Sequence, residues 1–219
     1  KAKVDEDFGL FNARGFIGVP TFVVGDHVVN GAQPLDEFLA VANAQLHGGA
    51  EGGVPSDAPS WGAKKPVVTI EWFGDYQSPW NERVAPTIAE LEKAFPGKLR
   101  FVWRSFPVGM FEHGRDAQNA VLEAAAQGKF MAMHKRLAAS SRKLTRAEIA
   151  GYAKEAGLDV AKVESAMQSD RYAVQIERDI ADGQRRGVTG VPAFMIGGKQ
   201  VAGAQSLDTF KEAVQAAMQ

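Results

Sequence analysis

The stretch GVTGVPAFMIGGKQVAGAQSLDTF, residues 187–210, joins several local signals in one short run. A short strand follows Gly-Val-Pro, Gly197 and Gly198 mark a turn, and a second strand follows. Leu207, Phe210 and Val214 then recur at helical spacing, so the run ends by opening an amphipathic helix. The unit reads as strand, turn, strand, helix.

It occurs twice. Residues 13–44 align with residues 185–216 without a gap, and roughly half the positions are identical, far beyond chance. Gly25 and Asp26 take the place of the second turn, and Leu35, Phe38 and Ala42 repeat the helical stripe. Between the copies, residues 47–65 are rich in Gly, Pro and Ser without apolar periodicity, which predicts a linker. Beyond it the pattern predicts a strand over 67–73, a helix over 79–94 and a strand over 99–106. A helical block from about 108 to 186 follows, ahead of the second copy. Val84, Ile88, Leu91 and Phe95 give the first helix a buried face, Pro86 is expected to kink it, and Thr145 to Glu148 form a capping box.

The expected organisation is therefore one complete α/β domain over residues 66–219. Ahead of it, residues 1–46 hold a ββα half that cannot close a sheet or cover its apolar face unaided. Such a chain reads as the cut end of a tandem protein, or as a piece that borrows a partner. Association through residues 7–46, with a further copy or a missing half, is expected.

Composition narrows the chemistry. A formal net charge of −1, with both signs interspersed, offers no field for nucleic acid or an acidic membrane surface. No apolar run is long enough to span a bilayer, and the charged first residues lack a signal-peptide core, so any export signal is expected outside this chain. There is no cysteine, which excludes disulfides, zinc-thiolate sites and thiolate nucleophiles. His27, His47, His113 and His134 show no paired metal-ligand spacing, and neither metal nor cofactor is expected.

The candidate site is DYQSPWNERVAPTI, residues 75–88, where an apolar run gives way to a helix start. Ser78 and Asn81 flank Pro79 and Trp80 at the spacing that a redox protein fills with two cysteines. Read structurally, Ser78 is an N-cap, Asn81 a solvated first-turn residue and Trp80 one more core aromatic, whereas a tryptophan in the middle of a working motif is expected exposed or half buried. Read functionally, the free N–H groups and partial positive charge of the helix start favour an anion or polarise a bound sulfur.

Residues 75–108, the run QGKFMAMHKRL and residues 187–210 together resemble the DsbA-like branch of the thioredoxin superfamily. The resemblance implies a thioredoxin-like fold with a helical insert and a periplasmic or otherwise extracytoplasmic thiol:disulfide oxidoreductase ancestry. It places Ser78 and Asn81 where the family's two cysteines stand, and Pro192, after Val191, at its cis-proline. Val19 and Pro20 repeat the latter pair. Disulfide exchange needs a thiolate, and a serine hydroxyl does not supply one. The resemblance therefore implies a redox-inactive domain that binds polypeptide or a partner domain through Val191, Pro192 and Trp80. The alternative is a kappa-like transferase or isomerase in which Ser78 holds glutathione, because SPWN partly resembles that group's Ser-Pro-aromatic-Ser motif.

Overall fold

The computed structural model describes residues 21–24, 27–30 and 54–219, and the chain divides into two compact units, residues 1–55 and 56–219. In the first unit, β1 (Thr21–Val24) and β2 (His27–Asn30) form an antiparallel hairpin in which Thr21 faces Asn30 and Val24 faces His27. The expected helix with Leu35, Phe38 and Ala42, and the Val19–Pro20 bond, lie outside the described residues.

The second unit opens with β3 (Ser60–Gly62) and β4 (Val68–Gly74), followed by α1 (Pro79–Ala94) and β5 (Leu99–Ser105). Five helices follow: α2 (Gly114–Ala126), α3 (Phe130–Ala138), α4 (Arg146–Glu155), α5 (Val160–Ser169) and α6 (Ala173–Arg185). The chain closes with β6 (Ala193–Ile196), β7 (Lys199–Ala202) and α7 (Leu207–Ala217). The strands form one sheet in the order β3-β5-β4-β6-β7, with β4 and β5 parallel and the other neighbours antiparallel. This is a mixed α/β sheet with helices, a thioredoxin-like architecture.

The period of two in the strands sorts their side chains onto two faces. Ile70 and Trp72 of β4, Phe101 and Trp103 of β5, and Phe194 and Ile196 of β6 enter the main core with Val84, Ile88 and Leu91 of α1 and Phe210 and Val214 of α7. Phe73, Ala193 and Met195 belong to a smaller cluster with Phe106 and Val188. Glu71 and Arg104 share the strand parity of Phe73, and α6 supplies their partners. Arg104, wholly buried, donates to Glu71, to Asp179 at 2.8 Å and to Asp182 at 2.8 Å. Arg186 closes the group on Glu71 at 2.8 Å and Asp182 at 3.1 Å.

One local expectation needs correction. Residues 56–62, read from composition as linker, belong to the second unit: β3 pairs with β5, and the Trp61 ring stacks on Phe101 at 5.2 Å and lies 4.9 Å from His134. A three-residue strand is too short to show an alternation, so the Gly and Pro around it dominated the reading. α1 runs through Pro86 from Pro79 to Ala94 as a single helix. The capping box at Thr145 forms, with the Glu148 N–H donating to Thr145 Oγ1 at 3.3 Å and the Thr145 N–H donating to Glu148 Oε2 at 2.9 Å.

Candidate functional site

β4 ends at Gly74, and three residues turn the chain into α1. The Ser78 N–H donates to the Asp75 carbonyl at 3.0 Å, closing the turn. Ser78 then sits in extended backbone at the N-cap position, with Pro79 at the start of the helix, where a missing N–H breaks no helical bond. The N–H groups of Asn81 and Glu82 reach the Ser78 carbonyl at 3.0 and 3.4 Å. Position alone makes Ser78 a cap, because its hydroxyl makes no capping hydrogen bond.

Asn81 is not the solvated first-turn residue that its polarity suggests. It is 1% exposed, and neither amide atom has a hydrogen-bond partner. The helical period explains this: Asn81, Val84, Ile88 and Leu91 lie on one stripe, and that stripe faces the core. The amide presses on the end of β4 so closely that a Cβ on Gly74 would stand 2.5 Å from Asn81 Nδ2 and closer still to the Trp103 ring. Trp80, on the other side of the first turn, is 54% exposed, with the Arg83 guanidinium 5.6 Å from its ring centroid.

Opposite the helix start lies the segment before β6. Phe73 faces Ala193 in the register of β4 and β6, so one step further the ladder brings Pro192 to the level of Gly74. The Val191–Pro192 peptide bond is cis. The Pro192 carbonyl accepts from the Gly203 N–H at 2.8 Å, which ties this corner to the end of β7. Among the described residues, no hydrogen bond takes the amide or carbonyl of Val191. The structure thus brings Ser78, Pro79, Trp80 and Asn81 to the same end of the sheet as Val191 and Pro192.

Beneath the turn lies a set of groups to which the sequence reading gave no part in the site. Tyr76, wholly buried, places its hydroxyl 2.7 Å from His134 Nδ1. Burial pushes the Tyr76 phenol well above its ordinary range and, with the nearby Lys135 charge, pulls His134 down to about 3. Both are neutral at pH 7, and the ring tautomer sets the direction: Tyr76 donates to a bare Nδ1, while a protonated Nδ1 donates to the phenol oxygen. Tyr76 also stacks on Trp103 at 4.3 Å, and Trp103 Nε1 donates to Gln118 Oε1 at 2.9 Å. Asp75 is fully buried, and its carboxylate accepts the N–H of Gln77 at 2.9 Å and of Val108 at 2.8 Å. Desolvation lifts Asp75 to about 6 against the pull of those two N–H groups. A residue's fate as core or site depends on which distant helix covers it, and for Asp75 and Tyr76 that helix comes from the insert.

The chemistry available is limited. The chain has no thiol, and among the described residues no base hydrogen-bonds Ser78 Oγ to raise its nucleophilicity. Among the described residues no group of three or more His, Asp and Glu could hold a metal ion. Nor is any described helix long and apolar enough to cross a membrane. What remains at this end of the sheet is the exposed Trp80 indole and the unused backbone groups of Val191.

Comparison with known proteins gives this geometry relatives. Residues 110–215 match the DSBA-like thioredoxin domain. A crystal structure described as a thioredoxin-like oxidoreductase from Silicibacter pomeroyi superposes with a TM-score of 0.69 at 29% identity, covering 74% of this chain and 93% of its own. The catalytic domain of Proteus mirabilis ScsC superposes with a TM-score of 0.68 at 21% identity, covering 80% of this chain and 97% of its own, a likeness of fold. Among curated proteins, a Na(+)/H(+) antiporter NhaA 1 of Salinispora arenicola is 29% identical over 157 residues, 71% of this chain and 24% of the antiporter. A Na(+)/H(+) antiporter NhaA 1 of Mycobacterium sp. strain KMS is 32% identical over 142 residues, 63% of this chain and 23% of the antiporter. The chain thus spans about a quarter of the length of the curated relatives it matches.

Proposed function

We propose that this chain, whose residues 110–215 match the DSBA-like thioredoxin domain, is a redox-inactive form of that domain that binds an extended polypeptide at the end of the sheet shared by Trp80 and Val191. The observation that carries the reading is the pairing of an unused Val191 amide and carbonyl with a motif that holds no sulfur. An extended segment laid beside Val191 gains backbone hydrogen bonds of the strand-addition kind, which require no cysteine. Trp80 supplies a half-open apolar wall for one of its side chains. The antiporter relatives support a setting at a membrane protein, with this domain on the extracytoplasmic side and the polypeptide drawn from the transporter or from what reaches it. Residues 7–46 add a second surface, through which the chain associates with a further copy or with a missing half-domain.

The test is a titration of the full chain with extended peptides, followed by amide shifts. Binding should perturb Val191 and the Trp80 indole, and Trp80→Ala should weaken it at least roughly tenfold, as for an aromatic anchor, with little change in stability. Shifts elsewhere, or indifference to Trp80→Ala, would defeat the reading. Calorimetry with reduced glutathione is the companion measurement: a micromolar site lost in Ser78→Ala would replace polypeptide by glutathione as the ligand. Light scattering with and without residues 1–50 tests association, which a monodisperse monomer would refute.

A further inference from the structure

The segment between β5 and α2 is fastened to the residues just before Ser78 at two points. The Val108 N–H donates to Asp75 Oδ2 at 2.8 Å, and the His113 N–H donates to Gln77 Oε1 at 2.8 Å. Between the two fastenings stands Met110, 81% exposed. The other Asp75 oxygen accepts the Gln77 N–H, so one carboxylate holds both the loop and the turn that presents the motif. Gly114, at the first turn of α2, closes the far side, because a Cβ there would fall 2.7 and 2.8 Å from the two Asp75 oxygens.

No side-chain charge answers this carboxylate. The charged and titratable groups nearest in the elements around it are engaged elsewhere. Tyr76 bonds His134, while Arg115 pairs with Asp170 and Glu177. Asp116 pairs with Arg146 and His113, and Glu112 lies 4.0 Å from the His113 ring. What holds the charge is two backbone N–H groups in a buried setting.

We propose that residues 107–113 form a pH-sensitive rim of the polypeptide site, fastened by ionised Asp75 and released when that carboxyl takes up a proton. A carboxylate accepts at both oxygens, whereas a protonated carboxyl must place an O–H on one of them, which then meets an N–H as donor against donor. The turn lies within one segment and re-forms readily, so the long-range bond to Val108 is the one that yields. The desolvation that lifts Asp75 to about 6 brings this change into the mildly acidic range. The proposal rests on the polypeptide reading only in calling the loop a rim of that site.

The experiment follows the backbone amides of the full chain by NMR without peptide, from about pH 7.5 to about pH 5, a span that brackets the Asp75 titration. After correction for intrinsic exchange, Val108 protection should fall roughly fivefold to tenfold on acidification, the worth of one hydrogen bond. Its shift should follow the same midpoint as the Asp75 carboxyl. Asp75→Asn should give a loosened, pH-independent Val108, and His113→Gln should keep the wild-type midpoint. Equal Val108 protection at both pH values, an Asp75→Asn protein that still titrates there, or a midpoint that moves with His113→Gln would overturn the latch. A second arm repeats peptide binding at both pH values. If peptides bind at neither while Val108 responds as stated, the polypeptide reading falls and the latch stands.

Discussion

The Tyr76 hydroxyl and His134 Nδ1, fifty-eight residues apart in sequence, meet at 2.7 Å and fasten the turn before the motif to the α3 helix of the insert. His134 is pulled down to about 3 by burial, so the folded state holds it neutral while the unfolded chain titrates near 6.5. The stability it contributes is present above about 6.5 and is lost as pH falls toward 3, and across that window it amounts to roughly 5 kcal/mol. Asp75 runs the other way: its contribution is present below the ordinary carboxylate value of 3.8 and is lost as pH rises through about 6. Urea unfolding across pH should therefore show a shallow acid limb between 6 and 4 and a steeper one below it. His134→Phe should lose roughly 1–3 kcal/mol at pH 7, because the Tyr76 hydroxyl is left unpartnered, and should flatten the limb below 6.5. An acid limb unchanged in His134→Phe would remove His134 as its source.

Asn81 and Gly74 form a second testable pair. Asn81→Cys removes two buried polar atoms that lack partners, so the variant should be no less stable than the parent, and by about 1 kcal/mol more stable. Gly74→Ala should cost roughly 1–3 kcal/mol, because its methyl group overlaps Asn81 and Trp103. With Ser78→Cys added to Asn81→Cys, mass spectrometry under oxidising conditions should find a disulfide. The parent should not reduce insulin in the presence of dithiol. Turnover by the parent would contradict the loss of redox chemistry, and a double variant that stays reduced would show that the frame of the motif is not preserved.

Arg104 sits among Glu71, Asp179 and Asp182, and truncating it removes their shared buried counter-charge, leaving Glu71 and Asp182 to Arg186 and Asp179 to Arg178 at 3.7 Å. Arg104→Ala should cost about 3–5 kcal/mol at neutral pH. The loss should shrink on acidification as those carboxyls take up protons. Denaturant midpoints at neutral and acid pH decide it, and a pH-independent loss would mean that packing around the guanidinium outweighs its charge.

Trp61 tests the boundary between the units. A chain starting at Ser56 should fold as stably as the second unit within the whole, whereas one starting at Pro66 lacks β3 and the ring that stacks on Phe101. It should lose roughly 3 kcal/mol or more, the scale of deleting a large aromatic, and Trp61→Ala should reproduce much of the loss. Equal thermal midpoints for the two truncations would return residues 56–65 to the role of spacer.

How much of this was legible in sequence differs by element. β4, α1 and β5 were readable because their apolar residues recur with a clear period over several positions, and the expected ends differ from the observed ones by a residue at most. The motif was readable as a spacing around Pro79, and the site's opposite wall as Gly-Val-Pro. Asn81 was misread because residue type was weighed above helical phase: three residues before Val84, it had to face inward. β3 was too short to carry a pattern. The fastenings of Asp75 to Val108 and of Tyr76 to His134 join positions 33 and 58 apart, and no local pattern encodes such a meeting.

The two hairpins carry a consequence for how the chain reaches its native state. Thr21 faces Asn30 as Ala193 faces Ala202, and Val24 faces His27 as Ile196 faces Lys199, so the two copies share length and register as well as sequence. While β4 waits for its antiparallel neighbour, it is offered two nearly interchangeable candidates, and the one synthesised first is the wrong one. Refolding should therefore include a mispaired species in which β1 occupies the place of β6, resolved only by strand exchange. Deleting the first copy should remove that slow phase, which makes the duplicated hairpin an internal competitor whose influence is kinetic.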